Sequence, residues 1–169
     1  MKLRVATAAD ARAIAEIHVA AWRAAFRGLM PDDFLAALSV EERTVAWANG
    51  LSRPSPSQLA LAEIEDALAG FCIYGATRDD ESPDVAEIYA INVHPNRWGR
   101  GAGRALCEHA YREAAARGHT SMTLWVMIGN GRARRFYEHL GYAADGATRT
   151  NSQLIGRPFD ELRYRKVIA

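Results

Sequence analysis

Apolar and polar residues recur along this chain with two different periods, and the changes between them mark its elements. "LRVA" alternates as a short strand. In "TAAD", Thr7 and Asp10 stand at capping-box-like spacing, with Asp in place of Glu. Ile14, Ile17, His18, Ala21 and Trp22 then recur at helical spacing to about Phe26. Gly28 ends this helix, and Pro31 suits the first turn of the next. Ser39 and Glu42 are spaced as a second capping box, for a helix running to about Asn49 with Gly50 as its stop. "SRPSPS" reads as a loop.

The next segments read as strands. "QLALAEI" and "LAGFCIYGA" flank "EDA" as a hairpin, and "TRDDESPD" is a polar loop. "VAEIYAINV" is apolar on both faces, which places it centrally in a sheet. A glycine-rich stretch leads into a helix from about Gly101 to Arg117, closed by Gly118. "TSMTLWVMI" is a strand, and "GNGRARRFYEHLGY" a helix opened by Gly129 and terminated by Gly141. The end reads as "YAADG", a polar loop to about Phe159, and "ELRYRKVI", the last two strands being a pair. The hairpins are antiparallel, whereas the crossover from Val85–Val93 to Thr120–Met127 through a helix is parallel and right-handed. The expectation is one α/β (α+β) domain over residues 1–169: a mixed, mostly antiparallel twisted sheet with one central parallel pair and helices on both faces.

Composition narrows the chemistry. The formal net charge of +1 predicts no nucleic-acid partner. Lys2 and Lys166 are the only lysines, so the cationic residues are nearly all arginine. That bias suits phosphate recognition, and it equally suits a GC-rich coding sequence, as the many alanines do. Cys72 and Cys107 have no CxxC spacing and no His/Cys cluster beside them, so they read as buried thiols and no metal site is expected. No apolar run approaches the ~20 residues of a membrane span, and "MKLRVATAAD" lacks an apolar leader core. A soluble, cytoplasmic protein without a membrane partner is expected.

The stretch "INVHPNRWGRGAGRALCEHA" carries the candidate chemistry. Glycines between a strand and a helix expose backbone N–H groups to an anion, and the helix N-terminus adds its unpaired donors. A nucleoside-triphosphate loop would need G-x-x-x-x-G-K-[ST], and no Lys follows these glycines. A dinucleotide fingerprint would need G-x-G-x-x-G, but the spacing here is G-x-G-x-G, and no acidic residue ends the next strand. One strand later, Asn130, Ala133, Arg134 and Tyr137 share a helix face. Alone, Asn130 reads as a cap and Tyr137 as a core residue with its hydroxyl at the rim.

Together these segments resemble the GNAT superfamily of N-acetyltransferases, which use acetyl-CoA. "WGRGAG", Trp98 to Gly103, is similar to the family's Q/R-x-x-G-x-G/A motif, and "NGRARRFYEHLGY" matches N-x-x-A-x-x-[FL]-Y-E-x-x-G-[FY] at every specified position. "ELRYRKVI" resembles the last strand, and "AAWRAAFRGLMPDDFLAALS" the N-terminal helices of many bacterial members. The likeness spans essentially the whole chain. It departs at Trp98, where Gln or Arg is usual, with Arg97 one residue earlier.

The resemblance implies an acetyl-CoA-dependent N-acetyltransferase that acts by direct transfer in a ternary complex. The acceptor would be the primary amine of a small molecule, amino acid or peptide. Backbone amides from Arg100 through Gly101, Ala102 and Gly103 to Arg104 would take the pyrophosphate. Ile91 and Val93 would pair with the pantetheine arm as an added strand, and the Val93 N–H would face the oxyanion. Asn130 and Ala133 would also line the cofactor site, and Tyr137 would protonate the leaving thiolate. Period-2 alternation sets Glu87 on one face with Tyr89, Ile91 and Val93. Glu87 is then either the general base or the ion-pair partner of a neighbouring Arg, and His94 is its rival as base.

Trp22 to Phe34 and Asp145 to Phe159 would wall the acceptor. Trp22, Phe26, Met30 and Tyr74 are either that wall or core. The segment 145–161 has no acidic cluster, which disfavours a polyamine acceptor. A homodimer is implied by the resemblance alone. The competing readings are a non-catalytic CoA-binding module of the same fold, acting as a sensor or assembly partner, and a nucleotide-binding protein of another fold, which the topology disfavours.

Overall fold

The computed structural model describes residues 1–168. Strands β1 (Lys2–Val5), β2 (Gln58–Ile64), β3 (Ala67–Ala76), β4 (Val85–Val93), β5 (Ser121–Met127), β6 (Ala143–Asn151) and β7 (Phe159–Val167) form one sheet in the order β1-β2-β3-β4-β5-β7-β6. All neighbours are antiparallel except β4 and β5. The helices are α1 (Ala11–Ala25), α2 (Asp32–Ala37), α3 (Val40–Leu51), α4 (Ala102–Ala116) and α5 (Gly131–His139). This is the mixed sheet that the periodicity predicts. No described helix is long and apolar enough to cross a membrane.

The helix starts follow from local chemistry. Ser39 Oγ accepts the Glu42 N–H at 3.2 Å and caps α3. The Asp10 carboxylate takes the Thr7 N–H at 2.7 Å and its hydroxyl at 2.9 Å, while Arg4 grips the same carboxylate from β1. The β2–β3 turn runs through Glu65 and Asp66, both at positive φ, as a two-residue hairpin of right-handed strands requires.

Alternation along β3 divides the core. Phe71 packs with Leu61, Ile14 and Ile17 under α1, whereas Cys72 and Tyr74 pack with Ile88, Leu106, Cys107 and Leu124 under α4. Helices therefore cover both faces, with α4 and α5 on one and α1 and α3 on the other. β6 corrects the expectation of a short strand and a long loop, because the strand runs on to Asn151 and only residues 152–158 connect it to β7. β6 is an edge strand with mostly exposed side chains, so no apolar alternation betrays it. Polar cross-strand pairs hold it instead: Arg149 to Glu161, and Thr150 to Asp160 at 2.7 Å.

Two features of β4 shape everything around it. Ile73 pairs with Ala90 but Tyr74 with Ile88, so Tyr89 is the extra residue of a β-bulge. Directly opposed residues share a face. Glu87, opposite Gly75, therefore stands on the α1 face with Ala90 and Asn92, which oppose Ile73 and Phe71. Ile88, Ile91 and Val93, opposite Tyr74, Cys72 and Gly70, stand on the α4 face. The predicted alternation that put Glu87 with Ile91 and Val93 is overturned by this single inserted residue. In addition, the parallel pairing of β4 with β5 ends at Ile88–Leu124, and the strands part beyond it.

On the α1 face, His18 lies among Trp22, Trp47 and Phe71, with ring centroids 5.1, 6.0 and 6.2 Å away. Its Nδ1 is buried without a partner. Burial, with Arg43 adding to it, pushes the imidazole down to about 4 from its ordinary 6.5. The unfolded chain thus takes up a proton on His18 at higher pH than the folded chain, and protonation favours unfolding. The His18 contribution is complete above about pH 6.5 and is lost as the pH falls toward 4. It is expected to amount to roughly 2–3 kcal/mol across that window. Denaturant melts of wild type and His18→Phe at pH 7, 5.5 and 4.5 should show a fall in the wild type that the variant lacks. Parallel curves for the two proteins would refute the assignment.

Candidate active site

Where β4 leaves β5, a cavity of about 810 Å³ opens. β4 contributes Ile88 to Val93 and β5 contributes Leu124 to Met127. On the α4 face it is lined by Arg97, Trp98, Gly99, Gly101 to Arg104, Asn130, Arg132, Ala133, Phe136 and Tyr137. On the α1 face it is lined by Trp22, Phe26, Met30, Leu154, Phe159 and Glu161. The gap between the strands thus joins two compartments on opposite sides of one sheet.

The edge of β4 is turned into that gap. The His94 N–H donates to Ala69 O at 2.8 Å, which makes Val93–Gly70 a non-hydrogen-bonded pair of the antiparallel ladder. The Val93 amide and carbonyl therefore point away from β3, and so, by the two-residue period, do those of Ile91. Trp98 Nε1–H takes up the Val93 carbonyl at 2.8 Å. The Val93 N–H is left as a donor facing the cavity.

The glycine loop supplies more donors. Gly99 at φ +73° and Gly101 at φ +84° adopt the left-handed conformation that residues with a Cβ resist. Ala105 is the first amide of α4 to find a backbone carbonyl, that of Gly101 at 3.0 Å. Among the described residues the amides of Gly99 to Arg104 donate to none, which is the unpaired first turn of a helix opening on the cavity. At Gly103 a Cβ would meet Phe136 Cζ at 3.1 Å, so this glycine lets α4 and α5 close on each other.

The arginines divide. Arg97 and Arg100 both reach across to Glu65 in the β2–β3 turn, at 2.9 and 2.6 Å, and hold that carboxyl below its usual range. Arg100 does not line the cavity. Arg104 lines the cavity while paired with Glu108 one turn on. Arg132, which the sequence reading missed, lays its guanidinium 3.3 Å above the Trp98 ring at the cavity wall. Trp98 thus occupies the family's Gln/Arg position by bonding Val93 and carrying a cation on its face. Arg132 is two residues beyond Asn130, and that proximity to the motif was the signal for it.

Along α5, Asn130 accepts the Ala133 N–H through Oδ1 at 3.0 Å and so caps the helix. Its amide nitrogen has no protein acceptor among the described residues. Tyr137 lines the cavity, and burial, reinforced by Cys107 and Cys72, raises its phenol well above its ordinary value. The free hydroxyl therefore keeps its proton through the neutral range.

Glu87 sits elsewhere. It is fully buried, its Oε2 accepts the Arg78 N–H at 2.9 Å, and both its oxygens bond the Arg78 guanidinium. It does not line the cavity, and neither does His94, whose Nδ1 accepts the Asn96 N–H at 3.2 Å. Tyr89 does line it, but its hydroxyl donates to Ala76 O at 2.5 Å, and a Cβ at Gly75 would lie 2.6 Å from that oxygen. Tyr74 belongs to the core beneath α4, against His109, not to the wall. Trp22, Phe26 and Met30 are wall residues. Glu161 was also missed, and nothing in the alternation of "FDELRYRKV" separates it from its charged neighbours. Among the described residues no group of three or more His, Cys, Asp or Glu could hold a metal ion.

The family model described as "Acetyltransferase (GNAT) family" matches residues 12–142. The chain belongs to the GNAT acetyltransferase family. Among its GNAT relatives, an uncharacterized N-acetyltransferase of Bacillus subtilis, YuaI, is 28% identical over 91% of this chain and 86% of its own. The crystal structure of ribosomal-protein-alanine N-acetyltransferase from Brucella melitensis superposes with TM-score 0.73 at 26% identity, covering 99% of each chain. An N-acetyltransferase from Thermoplasma acidophilum, solved in complex with coenzyme A, has the same fold, with TM-score 0.75 at 15% identity over 98% of each chain. As a GNAT protein the chain is an acyltransferase, and its fold places the parted strands and the glycine loop beside one cavity.

Because Glu87 serves Arg78, Glu87→Gln should act on stability and not on turnover. The variant is expected to lose roughly 1–3 kcal/mol in denaturant melts. Its pH profile of kcat/KM should keep the wild-type shape, and a new or missing ionisation in that profile would contradict this placement.

Proposed function

We propose that this chain transfers the acetyl group of acetyl-CoA directly to a primary amine of a small molecule, amino acid or peptide within a ternary complex. One observation carries the reading: the open β4 edge at Ile91 and Val93, the unpaired amides of the glycine loop and the Tyr137 hydroxyl border one cavity. A cavity of about 810 Å³ is ample for a cofactor-sized ligand.

In this reading the amides of Arg100 to Arg104 receive the pyrophosphate, with the Arg104 and Arg132 side chains adding charge. Ile91 and Val93 pair with the pantetheine arm as one more strand, and the Asn130 amide nitrogen donates to it. The amine nitrogen attacks the thioester carbon, and the Val93 N–H donates to the oxygen as it becomes negative. The carbon–sulfur bond then breaks as the Tyr137 hydroxyl gives its proton to the departing sulfur; the attacking nitrogen sheds its extra proton to solvent, from which Tyr137 regains one. The raised ionisation of Tyr137 means only that the phenol carries a proton before the transfer. The alternative of a non-catalytic module would retain the cradle without needing that donor.

The test couples two measurements. Calorimetry should show CoA binding, and thiol release from acetyl-CoA should appear with at least one amine of a panel. Tyr137→Phe should lower kcat by roughly 10²-fold or more while leaving CoA affinity within a few-fold. Binding without thiol release would favour the module, and absence of binding would remove both readings.

A further inference from the structure

The compartment on the α1 face has its own chemistry. Trp22 from α1, Phe26 just beyond its end, Met30 from the following turn, Met127 at the end of β5, and Leu154 and Phe159 near the β6–β7 connection make its wall. Ile155, from the same connection, is buried in the cluster behind it and pins the segment down. Among the described residues lining this side, one side chain is charged: Glu161, opposite Met127 on β7 and only 8% exposed.

The hydrogen bonding of Glu161 is half complete. Arg149 Nε donates to Oε2 at 2.7 Å from the neighbouring strand, with its guanidinium 4.2 Å above the Trp125 ring. Arg149 is not a cavity residue, so the carboxylate is braced from the sheet. Oε1 has no hydrogen-bond partner among the described residues. The Glu161 side chain is 11% exposed and lines the cavity, and a carboxylate oxygen opening there at an apolar wall suits a cationic donor that brings hydrocarbon with it.

We infer that this compartment selects a primary ammonium carried on an apolar group of about arene size, with Glu161 Oε1 accepting a hydrogen bond from the nitrogen. The inference rests on the amine-acetyltransferase reading and adds the acceptor's class to it. Shape and charge act together: the wall takes the hydrocarbon, and Glu161 fixes which end enters. A diamine would fit one end only, leaving its second ammonium stranded against Trp22, Phe26 and Met30, where no anion meets it. A hydroxyl-bearing amine would gain nothing from the wall.

Calorimetric titration of the CoA-saturated protein tests this with four probes: 2-phenylethylamine, 2-phenylethanol, ethanolamine and 1,4-diaminobutane. The arylalkylamine should bind roughly 30-fold more tightly than ethanolamine or the diamine, reflecting burial of the ring. It should also bind at least about tenfold more tightly than its neutral alcohol, reflecting the contact with Glu161. Glu161→Gln, which keeps an acceptor for Arg149, should abolish the advantage of amine over alcohol and leave CoA affinity unchanged. Should that variant not fold, the wild-type comparison of amine with alcohol decides alone. Equal binding of amine and alcohol, a diamine as good as the arylalkylamine, or no amine binding to the CoA complex would each overturn the inference while leaving CoA recognition standing. Failure of CoA itself to bind would overturn the acetyl-CoA reading, and this one with it.

Discussion

The bulge at Tyr89 is the constraint on which the site depends. A regular β4 would hold its alternation to the end. With one residue inserted, Ile91 and Val93 turn to the α4 face and the strand's far half no longer follows β5. The result is an unpaired strand edge inside the protein, which is costly unless a partner arrives to take its donors and acceptors. Trp98 satisfies one of those groups, and the remaining ones define where an extended ligand lies. Gly75 leaves room for the Tyr89 hydroxyl in its present position, since a Cβ there would lie 2.6 Å from it.

A second constraint holds the sheet beyond β5. Residues 77–84 fold back so that Asp79 meets the Trp125 indole at 3.0 Å and Arg163 at 3.2 Å. Glu81 takes Arg163 and Arg165, both at 2.5 Å, and Asp145 of β6 meets the same two arginines at 2.8 and 3.2 Å. Such pairs contribute little individually, because partial desolvation offsets much of the attraction. Their collective effect is geometric. Three acidic residues from two segments converge on two arginines of β7, which fixes the polar loop, β6 and β7 relative to Trp125, itself a cavity residue. The arginines of "ELRYRKVI" thus serve the interior order of the fold.

Most of the architecture was legible because burial writes a period into the chain. α1, α4, β3 and β5 each show theirs, and Gly28, Gly101, Gly118 and Gly141 sit at positive φ beside helix ends, whereas Gly50, expected as a stop, lies inside α3, which runs on to Leu51. β6 was only partly legible, since an exposed edge strand obeys cross-strand charge pairing, which needs its partner to be known. Glu87 shows a different limit. Its face is decided by a bulge two residues further on, and no local propensity announces that insertion. Tyr137 and Asn130 were found through a motif whose spacing is helical, so both lie where that spacing puts them. Glu161 and Arg132 were missed because their significance comes from what surrounds them in space: a hydrocarbon wall for one, an indole face for the other.

The pairing of Arg97 and Arg100 with Glu65 bears on how quickly the glycine loop can respond to an anion. A free arginine on a surface loop samples many rotamers and gives up on the order of 2 kcal/mol of conformational entropy when it is fixed. Here two such side chains are already gathered beside the loop by one carboxylate in a hairpin turn. That carboxylate is 65% exposed, so water and salt weaken its hold. An arriving anion would therefore exchange partners with guanidinium groups that are assembled in advance, and the hairpin turn works as a resting place for charge.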